Sequence, residues 1–295
     1  MQELRGIPVV HCLMEKFTQD IEQLSKQGVV PKLAVVRVGN REDDLAYEKG
    51  IIKRFSAVSA MVEITAFPVD CSQEMLEDTI LSLNEDKSVH GILLFMPLPK
   101  NLSGEKLKYM IAQEKDVDCM GLVNTVYVYT GNKNGYPPCT PQAVIELLDY
   151  YGIDVTGKKV TIIGRSMVIG KPLSMLLLGK NATVTICHTK TKNLAVECRK
   201  ADILIACAGV AQMIKENFVH PDQVVIDVGI NMDSGKLCGD VDYDAVSNIV
   251  KAITPVPGGV GAVTTSVLLK HTIQSAIKSV DQPLYKHKSS PETLV

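Results

Sequence analysis

Hydrophobic residues in the first half of the chain alternate between two spacings. Between residues 11 and 26 they recur every three or four positions, which predicts an amphipathic helix, and the apolar run at 33–38 predicts a buried strand. The same two patterns then repeat, with helices predicted at 43–56 and 72–84 and strands at 61–67 and 91–96. Helices that alternate with strands indicate parallel strands joined by right-handed crossovers.

The second half repeats this alternation after a polar stretch with glycine and proline at 129–141, which we interpret as a domain junction. The pattern there is typical of a nucleotide-binding, doubly wound parallel sheet. Its predicted helices lie at 141–151, 172–178, 194–200 and 263–277, and its predicted strands at 159–163, 182–187, 203–206, 224–228 and 252–254.

Length and composition narrow the class of protein. The chain has 295 residues, 46% of them hydrophobic and 22% charged, with a formal net charge of −2, which is typical of a globular protein of about two domains. This balance predicts neither a nucleic-acid partner nor a membrane. The eight cysteines are scattered singly, which predicts reduced thiols in the cytoplasm and no metal site.

The segment from Lys159 to Pro172 reads as a strand that ends in glycine, a turn, and a helix with proline in its first turn. Such a turn presents backbone N–H groups and a positive helix end to a pyrophosphate. The spacing from Gly164 to Gly170 differs from the common G-x-G-x-x-G pattern, so a turn without a ligand stays open as an alternative.

The next strand ends in His188, Thr189 and Lys190, where an NAD-binding sheet would carry an acid. Hydroxyl and ammonium groups with no acid beside them suit a 2′-phosphate, and Arg165 could add a guanidinium. NADP is therefore favoured over NAD. The alternative for the lysines is a solvated loop.

A third motif, at 253–261, places two prolines and three glycines within seven residues. Proline fixes φ and glycine opens conformations that other residues avoid, so the backbone here follows an unusual path. Such a path suits a close approach to a ligand or to another backbone, and a purely structural turn is the alternative.

Taken together, these motifs resemble the methylenetetrahydrofolate dehydrogenase/cyclohydrolase family over about residues 5–280. The resemblance implies two α/β domains that flank a cleft, the second Rossmann-like, with folate in the cleft, NADP or NAD on the second domain, and a homodimer. It also implies that the helix after Gly261 packs on the first domain. We therefore predict a folate-binding domain at 1–138 plus about 265–295, and a dinucleotide-binding domain at 139–264. The motifs are Gly91-Ile-Leu-Leu, Lys115-Asp-Val-Asp118, Gly164-Arg-Ser-x-x-x-Gly-x-Pro172, Ala182-Thr-Val-Thr-x-Cys-His188, Asp227-Val-Gly-Ile-Asn231, Gly239-Asp-Val241 and Thr254-Pro-Val-Pro-Gly-Gly-Val-Gly261.

The resemblance also assigns site residues. Tyr47 and Asp118 are expected to be catalytic and to bind folate, together with Pro257, Gly258, Gly259 and Val260. The residues expected to bind the cofactor are Thr140, Gly164, Arg165, Ser166, Ile169, Gly170, Pro172, His188, Thr189, Gly229, Ile230 and Thr264.

Two positions depart from the family pattern. The family's Ser-x-x-Tyr-x-x-x-Lys helix here runs from Asp44 through Tyr47 to Ile51, and the family's glutamine is Phe95. In the family that lysine, close to the glutamine, activates water for hydrolysis, whereas hydride transfer needs no proton acceptor. We therefore predict oxidation of 5,10-methylenetetrahydrofolate to the methenyl form with NADP, with cyclohydrolase activity weak or absent.

Two alternatives stay open. A bifunctional enzyme could recruit another base, such as Asp44 or Lys53. A catalytically silent regulator that binds folate or nucleotide would keep the same glycines.

Overall fold

The computed structural model describes residues 1–233 and 235–281. The strands are β1 (Gln2–Glu3), β2 (Lys32–Val38), β3 (Met61–Phe67), β4 (Gly91–Leu94), β5 (Lys159–Ile163), β6 (Thr183–Cys187), β7 (Ile203–Ala206), β8 (Val224–Asp227), β9 (Asn231–Asp233), β10 (Lys236–Cys238) and β11 (Ala252–Ile253). The helices are α1 (Gly6–Lys26), α2 (Glu42–Ser56), α3 (Gln73–Glu85), α4 (Gly104–Met110), α5 (Leu122–Thr130), α6 (Cys139–Tyr150), α7 (Gly170–Gly179), α8 (Leu194–Arg199), α9 (Tyr243–Ser247) and α10 (Gly261–Asp281).

The strands and helices predicted from hydrophobic spacing are confirmed, with bounds that shift by a few residues. Helix α1 begins five residues earlier than expected because Val9 and Val10 continue its buried face. Ser72 caps α3 by accepting the N–H of Met75 at 3.2 Å. Helices α4, α5 and α9 were not predicted, because their five to nine residues are too short to show a clear period.

The first sheet has three parallel strands in the order β3-β2-β4. Val35 at the centre of β2 lies opposite Ile64 in β3 and Leu93 in β4. The chain leaves β2 for a strand on one side and then returns to its other side. The carboxyl ends of β2 and β4 therefore form a switch point, which is where open α/β sheets bind ligands.

The second sheet has six parallel strands in the order β1-β11-β8-β7-β5-β6, as expected for a doubly wound sheet. Its switch point lies between β5 and β7. The two-residue strand β1 was not predicted. It pairs with β11, so the first residues of the chain extend the second sheet, although the predicted division counts them in the first domain.

Helix α10 packs against α1, α2 and α6, and it also reaches β2 and β4. The expectation that this helix returns to the first domain is therefore confirmed. One hydrophobic cluster continues from α1 and β2 through α6 to β5 and α7, so both sheets share a core. The division at 138 and 264 stays a prediction, and residues 282–295 of the predicted first domain lie outside the described residues.

No helix among the described residues is long and apolar enough to cross a membrane.

Candidate functional site

Tyr47 and Phe95 face each other at the carboxyl edge of the first sheet. Tyr47 lies on α2, Phe95 directly follows β4, and their ring centroids are 5.6 Å apart. Burial raises the pKa of Tyr47 well above its ordinary value, and the carboxylate of Asp118 and the thiol of Cys139 add to this effect. Tyr47 therefore remains a neutral phenol with an aromatic face at the switch point.

The first two residues of the segment 115–118 form hydrogen bonds that stabilise the surrounding backbone. Lys115 is buried, and its ammonium donates to the carbonyls of Leu83, Asn84 and Asp86 at the C-terminal end of α3. The carboxylate of Asp116 accepts the N–H groups at the start of α5 and the side-chain amide of Asn124. Both residues thus hold backbone in place.

Asp118 differs from these neighbours because its carboxylate lies near Tyr47 and accepts fewer hydrogen bonds from the backbone. Its Oδ1 accepts the backbone N–H of Cys139 at 2.9 Å, and the residue is half-buried. Burial raises the pKa of Asp118 above its usual range, against the N–H that lowers it. The structure therefore brings Asp118 and Tyr47 together, as predicted, with acceptor capacity left for a ligand.

The positions that depart from the family pattern form an apolar wall beside Tyr47. Ile51 is 0% exposed and Phe95 is 6% exposed, and both belong to the shared core. Neither side chain can accept a proton or hydrogen-bond a water molecule. The wall therefore offers packing, and no general base.

The two substitute bases considered above, Asp44 and Lys53, lie on different faces of α2. Asp44, Tyr47 and Ile51 are three and four residues apart and share one face of α2, whereas Lys53 is exposed elsewhere on the helix. The carboxylate of Asp44 lies 3.5 Å from Nε of Arg41, and burial raises its pKa. Asp44 lies about two turns before Ile51 on this face of α2, and the nearer acid, Glu48, is paired with Arg37.

The turn after β5 is built around two glycines that no other residue could replace. Gly164 has a φ of +135°, and a Cβ there would lie 2.4 Å from the carbonyl oxygen of Cys207 after β7. A Cβ at Gly170 would lie 2.1 Å from the carbonyl oxygen of Gly164. The turn is thus folded tightly onto the second switch point, with Arg165 and Ser166 exposed at its tip.

The turn from Gly164 to Gly170, which we call the glycine cradle, fits a dinucleotide pyrophosphate. Its glycines leave no side chain where the backbone must approach the phosphates. Ser166 shapes its tip by accepting the N–H of Ile169 through Oγ at 3.0 Å. Gly170 and Pro172 are buried at the start of α7, so they contribute backbone and shape.

The turn after β6 is held by its own residues. The Oγ1 of Thr191 accepts the N–H of His188 at 2.9 Å, and Nδ1 of His188 accepts the N–H of Lys190 at 3.1 Å. The side chains of Thr189 and Lys190 are exposed, as is Arg165 on the neighbouring turn. The predicted phosphate-binding groups thus lie on two adjacent turns of one sheet edge.

A cavity of about 230 Å³ lies between the loops that follow β8 and β11. It brings together five of the predicted residues: Gly229, Ile230, Pro257, Gly258 and Gly259. Val260 differs, because its side chain is buried in the core, where only its backbone could serve a ligand. The remaining two, Thr140 on α6 and Thr264 on α10, are half-buried.

Two buried acids that the sequence analysis did not assign organise these loops. Asp227 accepts the N–H groups of Gly229, Asp240 and Val241 at 2.9–3.0 Å, and burial raises its pKa to about 7. Asp240 accepts the N–H groups of Ala208, Gly209 and Val210 and the amide of Asn231. Both acids stand within motifs that carried the family resemblance, which was the available signal.

The fold and these sites define a two-domain α/β protein with a dinucleotide cradle on one sheet and a second small-molecule site on the other. The comparisons with known proteins agree. The catalytic-domain model of the tetrahydrofolate dehydrogenase/cyclohydrolase family matches residues 4–118, and its NAD(P)-binding domain model matches residues 138–280. The chain belongs to this family.

Individual relatives match along nearly their whole length. The bifunctional protein FolD of Clostridioides difficile is 52% identical over 275 residues, covering 93% of this chain and 96% of the relative. The FolD dehydrogenase/cyclohydrolase structure from Campylobacter jejuni has a TM-score of 0.92 at 37% identity and covers 94% of this chain and 99% of that one. The Trypanosoma brucei FolD structure, complexed with NADP and an inhibitor, has a TM-score of 0.89 at 33% identity and covers 94% and 98%.

Proposed function

We propose that the protein oxidises 5,10-methylenetetrahydrofolate to 5,10-methenyltetrahydrofolate with NADP. The observation that carries this proposal is the pairing of Tyr47 and Asp118 at one switch point with a glycine cradle at the other, within a chain of this family. The substrate's bridging carbon loses a hydride and becomes a cation delocalised over two nitrogens. The bound nicotinamide supplies the hydride acceptor.

The chain's own residues orient the folate. The carboxylate of Asp118 accepts hydrogen bonds from the amide and amino edge of the pterin, and the ring of Tyr47 packs against its face. Ile51 and Phe95 exclude water from the neighbouring wall. Because no proton leaves with the hydride, positioning is the main service that the site must provide.

NADP is preferred over NAD because Thr189, Lys190 and Arg165 present a hydroxyl and two cations on neighbouring exposed turns. The complex of the Trypanosoma brucei relative with NADP supports this choice.

The same site hydrolyses the methenyl product weakly or not at all. Hydrolysis requires a base that deprotonates the attacking water, and the residues at the family's lysine and glutamine positions are apolar and buried. The names of several relatives describe bifunctional proteins, which favours hydrolysis in this chain as well. If it hydrolyses the product, the base must be another group, and Asp44 is the candidate on the correct face of α2.

One assay tests both parts of the proposal. Wild-type protein receives methylenetetrahydrofolate with NADP and then with NAD, while formation and decay of the methenyl product are followed spectrophotometrically. We expect methenyl product to form with NADP and to accumulate. Because general-base assistance contributes about 10²–10⁴ in rate, its decay should remain close to that in buffer. Absence of turnover would favour the silent regulator, whereas accelerated decay would favour the bifunctional enzyme.

A pair of substitutions isolates the apolar wall. Ile51→Lys with Phe95→Gln restores the family's residues and should produce measurable hydrolysis, while Ile51→Lys alone should do little because a lysine in an apolar site tends to lose its charge. If wild-type protein already hydrolyses the product, Asp44→Asn should abolish that activity and spare hydride transfer.

A further inference from the structure

A buried histidine contacts the backbone directly before Asp118. His271 lies on α10 and is 2% exposed. Its Nδ1 is 2.9 Å from the carbonyl oxygen of Val117, the residue directly before Asp118. The contact joins segments 154 residues apart, and the mechanism described above does not use it.

The nitrogen Nδ1 of His271 is the hydrogen-bond donor in this contact. A carbonyl oxygen can only accept, so Nδ1 of His271 must carry the proton. Burial lowers the pKa of His271 to about 4, which keeps the ring neutral near pH 7. The ring of Tyr136 packs beside it, with centroids 5.4 Å apart, and restricts its rotation.

Cys139 completes the same arrangement from the start of α6. Its thiol lies 3.5 Å from the carbonyl oxygen of Val117, and its backbone N–H donates to Oδ1 of Asp118. The peptide plane between Val117 and Asp118 is therefore held through its carbonyl by two helices, while the carboxylate is held by one of them. Because a peptide unit is planar, fixing the Val117 carbonyl also fixes the position of the Asp118 Cα, and the bond from the Cys139 N–H to Oδ1 then limits where the carboxylate can lie.

We infer that His271 is a positioning residue for folate binding, which acts through Val117 to aim the carboxylate of Asp118. The inference rests on the proposed function, because it assumes that Asp118 binds the folate. In this role His271 acts through the backbone of Val117 and not by contact with either ligand. Its substitution should therefore weaken folate binding and leave the affinity for NADP unchanged.

A neighbouring contact provides a matched control. Ser275, one turn further along α10, donates to the carbonyl oxygen of Glu114 at 2.8 Å. This bond also anchors α10 to the turn before Asp118, yet it does not touch the Val117 peptide. A role for His271 as a mere helix anchor predicts that Ser275→Ala and His271→Leu behave alike.

The test compares KM for methylenetetrahydrofolate, kcat, and NADP affinity by calorimetry in His271→Leu, His271→Asn and Ser275→Ala. Loss of one buried hydrogen bond typically corresponds to about a fivefold change in binding, so His271→Leu should raise KM about fivefold or more. Asparagine can place its amide N–H near the position of Nδ1 and should restore most of the affinity. Ser275→Ala should keep the wild-type KM.

A double-mutant cycle shows whether the effect passes through Asp118. In an Asp118→Ala background, His271→Leu should change KM by less than about twofold, because the group it positions is gone. Equal effects in both backgrounds, or a wild-type KM in His271→Leu, would overturn the inference. If the leucine variant does not fold, His271→Gln is the substitute, because its amide reaches the position of Nε2 and not that of Nδ1, and the same two outcomes decide. Failure of the proposed function would differ, because the wild-type protein itself would then lack turnover.

Discussion

Asp118 in the first half and Asp240 in the second half are both acids at the carboxyl edge of a parallel sheet, yet their surroundings differ. Asp240 accepts three backbone N–H groups and one side-chain amide. Asp118 accepts one backbone N–H, from Cys139, and one side-chain hydrogen bond from the thiol of the same residue. A carboxylate whose lone pairs are filled by the protein holds loops together, whereas one with unfilled lone pairs can serve a ligand. The number of hydrogen bonds that a carboxylate accepts from the protein therefore distinguishes an acid that stabilises loops from one that can bind a ligand.

The largest effect that follows from this comparison is on stability. Asp240→Ala leaves the N–H groups of the 208–210 loop without their acceptor, and we expect the free energy of unfolding to fall by at least about 3 kcal/mol. Urea unfolding measures the loss. Asp222→Ala, at an exposed turn of the same domain, is the control and should remain within about 0.5 kcal/mol of wild type. Equal losses in the two variants would remove the structural role of Asp240.

The second effect concerns acid sensitivity beside Asp118. The pKa of His271 falls from 6.5 to about 4 on folding, so between these values the unfolded chain binds more protons and stability falls as pH falls. The loss reaches about 3 kcal/mol by pH 4, at about 1.4 kcal/mol per pH unit. Lys270, Glu146 and Lys278 are the charged groups that act on His271.

His271→Asn should remove this part of the pH dependence, as seen in urea unfolding from pH 7 to pH 4. The exposed His11→Asn should keep the wild-type slope. Parallel slopes in all three proteins would mean that His271 does not titrate as its burial predicts.

The third effect has the opposite pattern to the first, because it concerns folate binding and leaves stability almost unchanged. Asp118→Ala should lower the free energy of unfolding by only about 1 kcal/mol, because the N–H and the weakly donating thiol of a single residue, Cys139, lose their partner. The KM for folate should rise about tenfold or more, since a charge-assisted hydrogen bond contributes about 1.5–3 kcal/mol. Steady-state kinetics with calorimetry of NADP binding checks this. An unchanged KM would take Asp118 out of the folate site.

The smallest effect concerns the preference for NADP over NAD at the turn after β6. Thr189→Glu places a carboxylate on the turn that is proposed to receive the 2′-phosphate, and repulsion should lower kcat/KM for NADP about tenfold. The kcat/KM for NAD should change little, so the ratio of the two values is the measurement. Val196→Glu, at an exposed position of helix α8 in the same half of the chain, adds the same single charge and is the matched control. An equal fall in that variant would indicate a general charge effect.

Much of the architecture could be predicted from the sequence, because hydrophobic spacing is a local property. The short apolar run at 159–163 predicts a buried strand, and the glycines at 164 and 170 predict a tight turn after it. The departures at Ile51 and Phe95 were equally readable, since they depend only on which residue occupies a position. Family membership followed from the order of the motifs and is confirmed by the comparisons.

The tertiary structure decided how the polar groups are partnered. The backbone N–H groups that donate to Asp240 belong to a loop about 30 residues away in sequence. The histidine that donates to the Val117 carbonyl is 154 residues away. The two-residue strand β1 exists only because β11 is present to pair with it. A periodic pattern records which face of an element is buried, but a hydrogen bond between distant segments depends on how those elements pack. The sequence therefore determined the sheets and the chemistry available at their edges, and packing determined which acids were left free to bind.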